Sequence, residues 1–231
     1  MLTFEDMRYT QDGFSLHADF TVRDGEMLAV IGPSGGGKST LLNVVAGFLE
    51  PTSGRVLWDG RDMAGTAPGK RPVSILFQDN NLFPHMTVAQ NVGLGLRPDL
   101  RLSGQQMAQV EAALERVGLA GYGRRKPAAL SGGQASRVAL ARMLLRGNPL
   151  VLLDEPFAAL GPALKVEMLD LVRDLMGETG ATLMMVSHDP EDAKRISQRT
   201  VLVADGEAQA PVDTAGIFAN PPEALQTYLG K

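Results

Sequence analysis

Residues 27–48 read Met27-Leu28-Ala29-Val30-Ile31, then Gly32-Pro33-Ser34-Gly35-Gly36-Gly37-Lys38-Ser39, then a run that continues to Phe48. Five consecutive apolar residues predict a short buried strand. The next eight fit G-x-x-x-x-G-K-[ST], and the run from Lys38 predicts a helix stopped near Gly47. Strand, glycine-rich loop and helix in that order make a phosphate-binding turn. Glycines let successive N–H groups curl around a β-phosphate with no Cβ in the way. The helix N-terminus adds its positive dipole end. Lys38 supplies a point charge to the β- and γ-phosphates, and the Ser39 hydroxyl suits Mg²⁺. The plain alternative is a Gly-rich turn before an ordinary helix. The agreement of motif and context weighs against it.

Outward from this loop, strand and helix patterns alternate. Upstream, Phe14, Leu16, Ala18, Phe20 and Val22 alternate with Ser15, His17, Asp19 and Thr21, the period of a half-buried strand. Asp24-Gly25 is a turn signal. Downstream, Val56-Leu57-Trp58 followed by Asp59-Gly60 looks like half a hairpin, and Val73 to Phe77 is a short apolar strand. From about Thr87 to Gly147 the pattern is helical, with Met107, Val110, Ala113, Leu114 and Val117 at 3–4 spacing. Strands at Leu150–Leu153, Thr182–Val186 and Thr200–Ala204 then alternate with helices at Pro162–Met176 and Pro190–Ile196. That order implies a parallel sheet with right-handed crossovers. The expected organisation is one α/β domain over 1–231. Its core is 1–86 and 148–210, with a helical insert over about 87–147 and a short tail over 211–231.

Leu150-Val151-Leu152-Leu153 runs into Asp154-Glu155, which suits a buried strand ending at a site. Asp154 is placed to hold Mg²⁺ through its water shell. Glu155 is placed to polarise an attacking water, a role worth about 10²–10⁴-fold. Alone, two acids could simply cap a strand; beside the phosphate loop they read as catalytic. Composition narrows the class further. The 231 residues carry 22 Lys+Arg against 26 Asp+Glu, a net charge of −4, with three His and no Cys. The absence of Cys excludes a disulfide framework, a thiolate zinc site and a Cys nucleophile. The acidic balance weighs against coating nucleic acid. No apolar run approaches the ~20 residues of a membrane span, and Glu5 and Asp6 stand where a secretory leader would be basic and then apolar. A cytoplasmic chain is expected.

Leu130-Ser131-Gly132-Gly133-Gln134 precedes a strongly helical run, Arg137 to Arg146. Ser131 reads as a helix N-cap, which makes a second anion-receiving helix end. With the phosphate loop and Asp154-Glu155, this segment resembles the signature of the ATP-binding-cassette (ABC) ATPases, in collinear order over most of residues 1–205. The resemblance implies a RecA-like P-loop core with an N-terminal antiparallel β subdomain and an inserted helical subdomain. It implies that Gln78 contacts Mg²⁺ and the attacking water, that His188 meets the γ-phosphate, and that Tyr9 stacks on adenine. Phe14 is the competing aromatic, but its phase assigns it to the core. The ATP site so implied is Tyr9, Gly32, Pro33, Ser34, Gly35, Gly36, Gly37, Lys38, Ser39 and Thr40. Ser39, Gln78 and Asp154 are its metal residues, and Glu155, His188 and Gln78 its catalytic ones. In this family two cassettes pair head to tail, so Ser131, Gly132, Gly133 and Gln134 contact the ATP of a partner copy. One departure stands out: Ala158-Ala159-Leu160-Gly161 has Gly161 where the family usually has Asp and Ala158 where it has Ser. Weaker coupling between the two sites is expected.

With no span in the chain, the resemblance points to a separate ATPase subunit bound to transmembrane permease subunits on the cytoplasmic face of a bacterial inner membrane. An extracytoplasmic binding protein would act indirectly. Asp79 to Val88, with Leu82, Phe83 and Met86, looks like the groove with which importer cassettes grip a membrane subunit, the alternative being packing inside the helical insert. The stretches Arg71–Gln78, Asn80–Phe83 and Val88–Leu96 are similar to the ATPases of bacterial thiamine importers. That similarity implies thiamine and its phosphate esters as cargo. The rival reading is a soluble cassette ATPase acting on DNA or ribosomes. Those usually carry coiled coils, tandem cassettes or basic patches.

Overall fold

The computed structural model describes residues 1–228. In chain order its strands are β1 (Leu2–Gln11), β2 (Phe14–Val22), β3 (Met27–Ile31), β4 (Ser53–Trp58), β5 (Arg61–Asp62), β6 (Val73–Leu76), β7 (Leu150–Asp154), β8 (Thr182–Val186), β9 (Arg199–Ala204), β10 (Glu207–Ala208) and β11 (Val212–Asp213). The helices are α1 (Lys38–Ala46), α2 (Val88–Gly93), α3 (Gly104–Arg116), α4 (Gly132–Arg146), α5 (Pro162–Thr179), α6 (Pro190–Ile196), α7 (Thr214–Ala219) and α8 (Glu223–Tyr228). The chain divides into two compact units.

The first unit comprises 1–73, 149–154 and 173 onward. Its strands run in the order β5-β4-β1-β2-β10-β9-β3-β8-β7, with β11 added on β9. β9, β3, β8 and β7 are mutually parallel, and β1, β2, β4 and β5 are antiparallel. β10 joins the two parts, parallel to β2 and antiparallel to β9. β3, β7 and β8 are almost wholly buried, which is why they read as unbroken apolar runs rather than alternating ones. The loops at their carboxyl ends therefore share one edge of the sheet, where α/β folds bind ligands.

β1 changes phase along its length. Leu2 and Phe4 face the core, and so do Met7 and Tyr9. A bulge at Glu5-Asp6 shifts the phase between the two pairs, and Asp6 takes a left-handed backbone with φ 43°. The bulge accommodates the neighbouring strand: a Cβ on Gly54 would lie 2.0 Å from the Asp6 carbonyl oxygen.

The second unit comprises 74–148 and 155–172, the division falling within β6 and α5. It is built on α2, α3 and α4. Thr87, Ser103 and Ser131 each cap one of these helices with a reciprocal capping box, satisfying two orphan backbone donors at a time. Val110, Ala113, Leu114 and Val117 are buried as their spacing predicts, whereas Met107, one turn earlier, is exposed.

Candidate functional site

Backbone contact shapes the phosphate loop. A Cβ on Gly32 would stand 2.0 Å from the Val203 carbonyl oxygen, and one on Gly36 would stand 2.9 Å from the same atom. β9 and the loop thus touch backbone to backbone, and no larger residue fits at Gly32. Gly37 is the N-cap of α1 and has φ 105°, a left-handed backbone that favours glycine. The turn leaves α1 opening directly at Lys38. Lys38 is buried, and its Nζ donates to the carbonyls of Gly32 and Pro33, each at 2.9 Å. The ammonium therefore lies inside the curl of the loop. Ser34, Gly35 and Ser39 are exposed, and Thr40 is half-buried.

The Ser39 hydroxyl donates to Asp154 Oδ1 at 3.1 Å. Asp154 arrives at the end of β7, which pairs with β8, which pairs in turn with β3. Two oxygen donors thus stand side by side at a place that would suit Mg²⁺. A hydroxyl and a carboxylate, with waters and phosphates completing the shell, are the donor set this ion prefers.

His188 follows β8 and is exposed. The Ser187 N–H donates to the Val30 carbonyl at 3.2 Å, tying this turn to the strand that feeds the phosphate loop. The Ser187 hydroxyl donates to Asp192 at 2.6 Å and accepts from the Asp189 N–H at 3.0 Å. Asp189 in turn caps α6. The first unit therefore brings Gly32–Thr40, Asp154 and His188 to one sheet edge.

The aromatic residues fall less simply. Tyr9 pairs in register with Leu16 across β1 and β2, is 8% exposed, and donates its hydroxyl to Gln11. Phe14 is half-buried rather than sealed in the core as its phase predicts. A Cβ on Gly37 would lie 2.9 Å from its Cζ, so its ring edge rests against the phosphate loop.

In the second unit, Gln78 is exposed after β6, and Glu155 holds a left-handed backbone with φ 47°. Such a conformation costs a non-glycine residue about 1–3 kcal/mol and recurs at functional sites. Ser131 Oγ accepts from the Gln134 N–H at 3.3 Å, and Gln134 Oε1 accepts from the Ser131 N–H at 3.0 Å. Gly133 is glycine for a packing reason, since a Cβ there would lie 2.4 Å from Leu164 Cδ2. Gly132 is exposed, and its nearest neighbour, Leu160 Cδ2, would lie 3.6 Å from such a Cβ. Around Gly161 a Cβ would meet nothing within 4 Å, so the missing Asp has no steric cause.

Three supporting residues escaped sequence reasoning. The buried Arg71 guanidinium donates to the carbonyls of Val44 and Val45 at the end of α1, at 2.8 and 3.1 Å, and also to Thr66 and Glu50. Burial pushes its pKa down, partly offset by Glu50 and Asp62. Arg142, also lowered by burial, donates to the carbonyls of Asn80 and Asn81, each at 2.9 Å. Asn91 is fully buried and binds Phe83 through both its N–H and its carbonyl, at 2.8 and 3.1 Å. Each is a polar residue in an apolar or helical stretch, and that is its only trace in the sequence.

The sequence profile of the ABC transporter family matches residues 16–158. The chain belongs to the ABC transporter family. This ABC chain is 61% identical over 230 residues to the thiamine import ATP-binding protein ThiQ of Cereibacter sphaeroides. It is 53% identical over 230 residues to the protein of the same name from a Ruegeria species. Both alignments span 100% of each chain. Among solved structures, it is similar to cbiO1 from Clostridium perfringens, part of the ABC transporter complex cbiONQ. That match has a TM-score of 0.85 and 30% identity over 95% of this chain and 90% of the other. It is also similar to the ATP-binding cassette MJ0796, seen as a post-hydrolysis dimer with ADP and Pi. There the TM-score is 0.78, with 30% identity over 93% and 99% of the two chains. The fold is that of an ABC ATPase cassette, a P-loop α/β architecture.

Proposed function

We propose that this ABC cassette is the ATP-hydrolysing subunit of a bacterial thiamine importer. The observation that carries the ATPase reading is the contact of Ser39 with Asp154 beside the loop-bound Lys38 ammonium. Such an arrangement serves a metal-bound triphosphate. The cargo reading rests on the relatives that match end to end, whose names specify thiamine import. The same relatives do not favour a soluble cassette acting on DNA or ribosomes.

In this reading the backbone N–H groups of the Gly32–Thr40 loop, Pro33 excepted, and the Lys38 ammonium bind the phosphates, with Tyr9 against adenine. Ser39 and Asp154 would hold Mg²⁺, with Gln78 as the third metal residue, and the ion would neutralise charge on the β- and γ-phosphates. Glu155 takes the proton of the attacking water as its oxygen bonds to the γ-phosphorus. The bond to the β-phosphate oxygen then breaks and ADP leaves. His188 steadies the transferred group. Ser131, Gly132, Gly133 and Gln134 serve the ATP of a second copy, which the exposed Ser131 and Gly132 leave room for. The domain plan is a nucleotide-binding core (1–86 and 148–210), a helical arm (about 87–147) and a tail (211–231). No described helix is long and apolar enough to cross a membrane. In this reading transmembrane permease subunits anchor the cassette at the cytoplasmic face of the inner membrane, with Leu82, Phe83 and Met86 near the contact, and an extracytoplasmic binding protein delivers cargo to them.

Uptake of labelled thiamine by cells lacking the gene tests this. The wild-type chain is expected to restore uptake, while Lys38→Ala and Glu155→Gln are expected to lower it at least tenfold at equal protein level. Uptake that is unchanged by deletion would overturn the cargo reading. Full restoration by Glu155→Gln would overturn its catalytic role.

A further inference from the structure

The described tail does not simply cover the sheet. β11 pairs with β9, and α7 and α8 then fold back onto the parallel strands. Ile217 and the fully buried Leu225 join Ala29 and Ile31 of β3, Ala193 of α6 and Leu202 and Ala204 of β9 in one apolar cluster. Ala29 and Ile31 belong to the strand that ends in the phosphate loop. Tyr228, at the end of α8, packs on the edge of this cluster. Its hydroxyl donates to the backbone carbonyl of His188. That carbonyl is 40 residues away in sequence.

The turn at His188 is otherwise fixed on either side. The Ser187 N–H is held by Val30, and the Ser187 side chain bridges Asp189 and Asp192. The peptide after His188 is held at its Asp189 N–H by Ser187 and at its carbonyl by Tyr228. With both groups held, that peptide fixes ψ of His188. Leu225 sets the place of α8, and α8 sets the place of the Tyr228 hydroxyl.

We infer that Tyr228 is a positioning residue for His188: the tail helix latches the His188 carbonyl and so aims its imidazole at the phosphate end of the nucleotide. This rests on the reading of His188 as the γ-phosphate contact. A hydrogen bond that acts only on orientation affects turnover and leaves nucleotide binding alone. One such bond corresponds to about a threefold to tenfold change.

The test is steady-state ATP hydrolysis by the full chain, with melting temperatures, for wild type, Tyr228→Phe, Leu225→Ala and His188→Ala. Tyr228→Phe removes one oxygen and keeps the ring packing. It is expected to lower kcat about threefold to tenfold, with the KM for ATP within twofold and the melting temperature unchanged. Leu225→Ala is expected to lower kcat as well, with a lower melting temperature. If Tyr228→Phe keeps full kcat while His188→Ala loses turnover, the latch is wrong and the reading of His188 stands. A Tyr228→Phe loss accompanied by an equal rise in KM and a lower melting temperature also overturns it, because that is a packing effect. If His188→Ala itself keeps full kcat, the reading of His188 fails and takes the latch with it.

Discussion

Two aromatic rings compete for the base of the nucleotide, and they sit on paired strands. Tyr9 has the sequence spacing from Lys38 that the family resemblance implies, but its hydroxyl is engaged by Gln11 and its side chain is nearly enclosed. Phe14 reads as core from its alternation, yet it is half-buried against Gly37. Periodicity assigns a side chain to a face of the sheet. It does not say that the phosphate loop covers only part of that face, so phase alone assigns Phe14, the competing aromatic, to the core. Stacking of one base on an aromatic ring is worth about 1–3 kcal/mol. Tyr9→Ala is therefore expected to raise the KM for ATP about fivefold or more with little change in kcat. An unchanged KM in Tyr9→Ala, together with a raised one in Phe14→Ala, would transfer the stacking role to Phe14. Lys38 and Ser39, by contrast, stand in a motif that fixes both residue type and spacing, and Asp154 ends an apolar strand run that sets it against Ser39.

Individual elements show where legibility stops and why. β3, β7 and β8 announced themselves because strands buried on both faces are continuous apolar runs. β1 did not, because the bulge at Glu5-Asp6 breaks its period of two. The cause lies on another strand, in the close approach of Gly54. The end of α1 was equally hidden. A Cβ on Gly47 would lie 2.4 Å from Arg71 Nε; the guanidinium fills that space and takes up the last carbonyls of the helix. A cation at a helix C-terminus interacts favourably with the dipole, and here it also satisfies buried acceptors. Arg71→Met keeps the bulk but leaves the Val44 and Val45 carbonyls without it. The expected loss is about 2–4 kcal/mol, read from urea unfolding. A change within about 0.5 kcal/mol would show that water replaces the guanidinium without cost. Arg142 and Asn91 act similarly on the segment after Gln78. Both Asn80 and Asn81 have left-handed backbones, with φ 56° and 47°, and Arg142 holds their carbonyls.

At the scale of the whole molecule, each unit carries its own set of candidate residues. The phosphate loop, Asp154 and His188 share one sheet edge in the first. Gln78, Glu155 and the capped Ser131–Gln134 turn belong to the second. An exposed Gly132 at the head of α4 makes sense if a second copy brings its nucleotide there, and a dimer of the similar cassette MJ0796 holds ADP and Pi. Pairing, which the fold of one chain does not require, was legible only through the resemblance carried by Leu130–Gln134. Most of the architecture was legible because buried parallel strands, loop motif and helix periods agree with one another. The tail was legible only as a short packed segment, since its short elements gain their stability from packing on β3, α6 and β9 rather than from local pattern; its last three residues lie outside the described ones. If Ser131–Gln134 serve the nucleotide of a second copy, ATP joins two chains. The most direct measurement is the mass of purified Glu155→Gln in solution, with and without saturating Mg-ATP. The account predicts a shift from the 24.6 kDa chain to its dimer on adding Mg-ATP, reversed by removing the nucleotide and absent in the Glu155→Gln, Lys38→Ala double variant. A Glu155→Gln chain that binds Mg-ATP and stays monomeric would contradict it.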